Sequence, residues 1–172
     1  MSNGVNLRLE TKRLILRRMM QTDFDALLLI FTDPNVMAAF DHPPFTPEQM
    51  QRWLQRNLDH QHEFGYGLFS ILLKETGDLI GDCGLEQMED MHAAELGYDF
   101  RSDVWNHGYA TEAAVAVRDY AFDVLHLPQL ISLIRVGNLA SKRVAEKVGM
   151  ALAEEFTRYG IQYWKYTLKN YK

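Results

Sequence analysis

The chain has 172 residues, 47% apolar and 12% aromatic, with a formal net charge of −5. That composition suits a globular domain with a sizeable core and argues against disorder, and the acidic balance leaves no footprint for broad nucleic-acid binding. A single cysteine, Cys83, excludes an internal disulfide, and no apolar run approaches the ~20 residues needed to cross a bilayer.

The opening residues, Met1-Ser2-Asn3-Gly4-Val5-Asn6, lack the charged start and apolar stretch of a secretory signal, so a cytoplasmic protein is expected. Leu14-Ile15-Leu16 reads as the first strand. Thr22 is expected to cap a helix over residues 23–31, and Asp33-Pro34 to open a further short one. Thr46-Pro47-Glu48-Gln49 has the form of a capping box with proline at the first helical position. The helix that follows, to about residue 62, carries Met50, Trp53, Leu54 and Leu58 on one stripe. His60 and His62 near its end read as a surface pair rather than metal ligands, so no metal is expected.

Residues 69–73 and 79–85 read as two strands joined by Glu75-Thr76-Gly77-Asp78, a hairpin signal. Cys83 lies in the second of them and reads as a small buried hydrophobe. Glu95-Leu96-Gly97-Tyr98-Asp99-Phe100 alternates as a strand does, and residues 108–125 recur at helical spacing. After Pro128 come a strand at 130–136 and a helix that Asn138 caps, which runs to about 147 with Gly149 as its left-handed stop. Two strands, near 151–157 and 161–168, close the chain. Tyr163-Trp164-Lys165-Tyr166-Thr167-Leu168 is more aromatic than a solvated edge strand should be; burial in the core explains it most simply, and a homodimer face is the other reading. No linker or repeat divides the chain, so residues 1–172 are expected to form one mixed α/β domain.

The segment Trp105-Asn106-His107-Gly108-Tyr109-Ala110-Thr111-Glu112 carries the most chemistry. A strand that turns through a small residue into a helix presents unpaired N–H groups and the positive end of the helix dipole, a ready seat for a phosphate or pyrophosphate. Gly108 and Ala110 are small and let phosphates approach the main chain. These residues resemble the cofactor signature of the GNAT acyltransferases, in the Trp-Gly-x-Gly-Tyr-Ala-Thr-Glu-Ala form of the Rim-type branch. That branch includes the N-acetyltransferases of ribosomal-protein N-termini. Trp105, Gly108, Tyr109, Ala110, Thr111, Glu112 and Ala113 match. Asn106 stands where the family has its first glycine, and asparagine tolerates the positive φ of such a turn. His107 replaces the usual basic or amide residue. A second stretch, running from Asn138 and Ser141 to Val148-Gly149-Met150, resembles the family's Asn-x-x-Ala/Ser segment.

The resemblance implies a single-domain fold with a mixed, mostly antiparallel sheet, splayed central strands and about four flanking helices. It also implies acetyl-CoA as co-substrate, with no metal. The pyrophosphate would lie on the amides of Asn106, His107, Gly108, Tyr109, Ala110 and Thr111. Pantetheine would add to the edge of the strand holding Tyr98 and Phe100, in a strand-addition mode. Asn138 and Ser141 would reach the pantetheine arm and the sulfur.

Transfer to an amine needs a neutral amine, a polarised thioester carbonyl and help for the departing thiolate. Glu95 is the leading base, the alternative being that it pairs with a neighbouring Arg or Lys. Glu86, Asp99 and Glu112 are weaker candidates. Many family members place an acidic tyrosine where this chain has Ala145, so Ser141 is the substitute donor to sulfur. An acyl-cysteine route would need a base beside Cys83, and none is visible nearby.

The function so implied is acetyl transfer to a primary amine by direct attack in a ternary complex, a protein N-terminal α-amine leading. A small-molecule acceptor (polyamine, amino acid or antibiotic) and a CoA-binding module without turnover are the alternatives. The arm over residues 23–62, with Asp41-His42-Pro43-Pro44-Phe45 as a lip, and the loop near Tyr159-Gly160 would shape the acceptor pocket. Neither a membrane nor direct nucleic-acid contact is implied.

Overall fold

Strand alternation and helix caps divide residues 7–171, the part of the chain that the computed structural model describes, into eight strands and five helices. The N-terminal hexapeptide read above for a secretory signal lies outside the described residues. The strands are β1 (Arg8–Glu10), β2 (Leu14–Arg18), β3 (Leu68–Leu73), β4 (Leu79–Met88), β5 (Ala93–Phe100), β6 (Gln129–Arg135), β7 (Ala151–Arg158) and β8 (Ile161–Lys169). The helices are α1 (Phe24–Phe31), α2 (Pro34–Ala38), α3 (Pro47–Phe64), α4 (Tyr109–Asp123) and α5 (Leu139–Val148).

Local chemistry sets most of the boundaries. Asp33 accepts from the Asn35 amide ahead of α2. Thr46 and Gln49 close the expected capping box at α3, and Gly65, at φ +75°, ends that helix in the left-handed region. Asn138 Oδ1 accepts from the Ser141 amide at 3.1 Å, and Gly149 stops α5 at φ +101°. Thr22 does not cap α1, contrary to the sequence reading. It lies inside a 3₁₀ turn, Gln21–Asp23, and Asp23 is the residue at the cap position. Asp23 itself makes no cap, because its carboxylate is drawn away by the guanidinium of Arg17 at 2.7 Å and the hydroxyl of Ser70 at 2.7 Å.

The strands form one sheet in the order β1-β2-β3-β4-β5-β6-β8-β7. Every neighbouring pair is antiparallel except β5 and β6, which run parallel and pair only at Ala94 with Leu130 and Glu95 with Ile131. Beyond those two rungs the strands part, so the sheet carries a gap alongside the second half of β5. The Arg101 amide donates to Ile80 on the β4 side. Peptide direction alternates along a strand, so the main-chain groups of Leu96, Tyr98 and Phe100 face the gap instead.

Each face of the sheet has its own core. Leu14, Leu16, Phe69, Ile71, Cys83, Leu85, Leu96 and Phe100 pack against Ala113, Ala114, Val117 and Ala121 of α4. On the other face, Leu27, Ile30 and Phe31 of α1 join Met50 and Leu54 of α3. Burial accounts for part of the aromatic tail. Tyr166 is buried in the core, whereas Tyr163 and Trp164 are half-buried.

Candidate active site

The turn between β5 and α4 takes its shape from two positive-φ residues, Asn106 at +63° and Gly108 at +80°. Asn106 adopts the backbone conformation that its replacement of glycine requires. At Gly108 an added Cβ would meet only the tip of Arg13 at 3.5 Å, so the space above the turn is open. The first bond of α4 runs from the Glu112 amide to the Gly108 carbonyl. The amides of Tyr109, Ala110 and Thr111 therefore project from the helix end, aimed together at one place with the positive end of the dipole behind them.

Side chains around the turn brace it. Trp105 Nε1 donates to the Phe100 carbonyl at 2.8 Å, although 42% of the residue is exposed. His107 lies at the surface, its ring stacked on Tyr109 and its Nδ1 2.8 Å from the Trp105 carbonyl. Glu112 accepts from Thr11 Oγ1 at 2.6 Å, the Arg13 amide at 2.8 Å and Arg13 Nε at 2.7 Å. Burial pushes this carboxyl up, but the bonds from Thr11 and Arg13 outweigh it and hold Glu112 below the usual range. Glu112 thus ties the β1–β2 turn to α4 and is not poised as a base.

The gap beside β5 joins this turn to α5. Phe100 is buried, so only its main chain can face a ligand there. The Tyr98 hydroxyl donates to the Ser141 carbonyl at 2.7 Å, clamping β5 to the first turn of α5. Burial pushes the Tyr98 phenol up, so it remains a donor. Asn138 is occupied as the α5 cap, while Ser141 stands half-buried beside it. Ala145 is fully buried under α5.

Glu95 sits where the gap begins, on the sheet face opposite α4. Among the described residues it forms no ion pair with Arg or Lys; instead it accepts from the Leu133 amide at 3.2 Å. Burial is the main cause that raises its carboxyl from an ordinary 4.5 to about 7, with Glu86 and Asp99 adding to the rise. A group that titrates near 7 can take and give a proton at neutral pH. Two residues on, Gly97 faces the same side, and a Cβ there would meet nothing within 4 Å. The lip at residues 41–45 borders this face: Arg135 donates to the Phe40 carbonyl and lies 3.6 Å from Asp41.

Two residues outside the sequence reading belong to this region. Leu133 supplies the amide that holds Glu95, and Asp82 is a fully buried carboxylate on β4, directly across from Asp99. The strand patterns Asp82-x-Gly84-x-Glu86 and Glu95-x-Gly97-x-Asp99 mirror each other, which was the available signal. Cys83 is fully buried, and burial followed by the charges of Asp82 and Asp99 pushes its thiol well up. Cys83→Ser is expected to retain most activity and lose about 1–2 kcal/mol of stability, the cost of a buried hydroxyl without a good partner. Mass spectrometry after incubation with acetyl-CoA should find no acetyl-cysteine in the native protein; its appearance, with loss of turnover in the serine variant, would refute this reading. His60, read as inert toward metal, accepts from the Gln87 amide at 2.9 Å.

The sequence pattern of the acetyltransferase (GNAT) domain matches residues 13–151. A Bacillus subtilis (strain 168) protein, the uncharacterized YkkB, is 35% identical over 95% of this chain and 96% of its own length. A solved acetyltransferase structure from Agrobacterium tumefaciens str. C58 is 33% identical, covers 94% of each chain and superposes with a TM-score of 0.83. The spermidine N-acetyltransferase from Vibrio cholerae, solved with CoA and spermine, shares the fold at a TM-score of 0.76 over 93% of this chain and 97% of its own, with 18% identity. The chain belongs to the GNAT acetyltransferase family and has its single-domain α/β fold.

Proposed function

We propose that residues 1–172 act as one cytoplasmic N-acetyltransferase domain that moves an acetyl group from acetyl-CoA to a primary amine by direct attack. The observation that carries this reading is the conjunction at β5. An open gap lies along its edge, an amide-rich turn stands at its end, and a carboxylate that titrates near 7 sits where the gap begins. The diphosphate would rest on the amides from Asn106 to Thr111, under Trp105 and beside His107. The pantetheine would follow the free edge at Tyr98 and Phe100 to Ser141 and Asn138.

Glu95 would accept the proton that an ammonium must lose before it can attack. The nitrogen lone pair adds to the thioester carbonyl, whose oxygen is stabilised by main-chain N–H groups along the gap. Collapse forms the C–N bond and breaks the C–S bond, Ser141 Oγ donating a hydrogen bond to the departing thiolate. The second nitrogen proton, released as the amide forms, passes by way of the Ser141 hydroxyl to the thiolate. Glu95 returns the first proton to solvent, and the products are the N-acetyl amine and the thiol of CoA.

Resemblance to the Rim-type branch supports a protein N-terminal α-amine as acceptor. A small cationic amine is the second reading, favoured by the four carboxylates on one face of β4 and β5. Thiol release from acetyl-CoA, followed with peptides and with small amines, tests the proposal. Turnover with at least one amine, together with CoA binding by calorimetry, is expected. Binding with no release across both panels would reduce the protein to a CoA-binding module, and no binding by folded protein would sink the reading.

A further inference from the structure

The strand register places Asp82 directly opposite Asp99 and Glu86 directly opposite Glu95, with Gly84 opposite Gly97 between the two pairs. Side chains two apart on a strand share a face, so four carboxyls line one trough. Gly97 leaves the β5 side of its floor open, because a Cβ there would touch nothing within 4 Å, whereas the β4 side at Gly84 is already covered by the backbone of Gly67 and Leu68. At the near end Glu95 is placed for the reacting nitrogen, and its partner Glu86 already lies 3.6 Å from Arg56.

The far end is different. Asp82 is 0% exposed, and neither of its carboxylate oxygens has a hydrogen-bond partner among the described residues. Buried carboxylates are ordinarily paired, and directly opposed like groups, with Cβ atoms about 4.5–5.5 Å apart, repel. The cation on the same row cannot relieve them. Arg17 pairs with Ser70, which pairs with Asp82 and so with Asp99, but its guanidinium is held by both oxygens of Asp23 at 2.9 and 2.7 Å. Burial, and then the neighbouring charges of Asp99 and Glu86, push Asp82 well up, and burial raises Asp99 to about 7. A cation brought between the two carboxyls would find uncompensated acceptors already in place.

We infer that Asp82 and Asp99 form a second cation subsite of the acceptor trough, and that the acceptor is a linear aliphatic polyamine whose non-reacting ammonium group sits there. This rests on the acetyl-transfer reading above. Glu95 and Asp99 are four residues apart, about 13 Å along an extended strand. That span suits the outer nitrogens of a triamine better than those of a short diamine. A peptide with one α-ammonium group would leave the far pair unmatched.

The test compares spermidine, 1,4-diaminobutane, hexylamine and an alanine-initiated tetrapeptide as acceptors, by initial rates of thiol release. Spermidine should exceed hexylamine in kcat/KM by roughly 30-fold, the scale of one charge-assisted hydrogen-bonded contact. Asp99→Asn should lower kcat/KM for spermidine about tenfold, chiefly through KM, and narrow the gap to hexylamine. Spermidine and hexylamine within threefold of each other, a preferred tetrapeptide, or an unmoved KM for spermidine in the variant would each overturn the subsite. Calorimetric titration of spermidine into the native protein and into Asp99→Asn separates this from failure of the transfer reading. If no amine is acetylated yet spermidine binds, and binds about tenfold more weakly to the variant, the subsite stands and the transfer reading falls. If spermidine does not bind, the subsite falls whatever the catalytic result.

Discussion

Thr111→Asp is expected to weaken CoA binding about a hundredfold while leaving the fold as stable as before or slightly more so. Thr111 stands in the first turn of α4, where its amide precedes the first intrahelical bond. A carboxylate at that position is favoured by the helix dipole and adds little bulk, so thermal denaturation should show no loss. For a bound diphosphate the same carboxylate is a repulsive neighbour. At about 5 Å and an effective dielectric between 20 and 80, each pair of unit charges costs roughly 1–3 kcal/mol, so two phosphate charges amount to ~3 kcal/mol. Thr111→Asn keeps the shape without the charge and should lose only a few-fold. The difference between the variants should shrink as salt screens it. Calorimetry of CoA binding to the three proteins at two ionic strengths reads this directly. Equal losses for aspartate and asparagine would mean that shape and not charge is read at the turn, and no loss in either would move the phosphates elsewhere.

That turn was legible in the sequence because its chemistry is local. Asn106 and Gly108 adopt positive φ for reasons contained in a few consecutive residues, and Asn138 and Gly149 bound α5 in the same way. The features that escaped the sequence are held across long separations. Asp82 gains its meaning only from the register that sets it against Asp99, and Glu95 is held by an amide on the parallel strand β6. Glu112 read as one of the weaker base candidates, yet its three hydrogen bonds reach back to Thr11 and Arg13 in the β1–β2 turn. Thr22 failed as a cap for a related reason. The neighbouring Asp23 is pulled toward Arg17 and Ser70, and the chain passes through a 3₁₀ turn before α1 begins. Local hydrogen-bonding motifs could be read from spacing, whereas a carboxylate's partner could not.

Glu95→Gln separates a proton acceptor from a structural carboxylate. The Leu133 amide can still donate to the glutamine oxygen, so the packing at the head of the gap should survive. Turnover should fall by about 10²–10³, within the usual contribution of a positioned base, with little change in CoA affinity. The native enzyme should gain activity as pH rises through about 7, where Glu95 loses its proton. The variant should lack that ascending limb. Stability provides a second readout. In the folded protein Glu95 titrates at about 7 instead of an ordinary 4.5, so between those values the native state holds a proton that the unfolded chain has lost. The stabilising contribution is therefore complete below about 4.5 and disappears as pH rises through about 7, by an amount on the order of 3 kcal/mol. Glutamine has no proton to lose, so the variant should match the native protein near pH 5 and exceed it near pH 8 in denaturant unfolding. Asp99, also raised to about 7, leaves part of the native slope behind in the variant. A carboxylate that served only to hold β6 would give a different pair of results: the stability difference would remain, while turnover and its pH dependence would stay as they were.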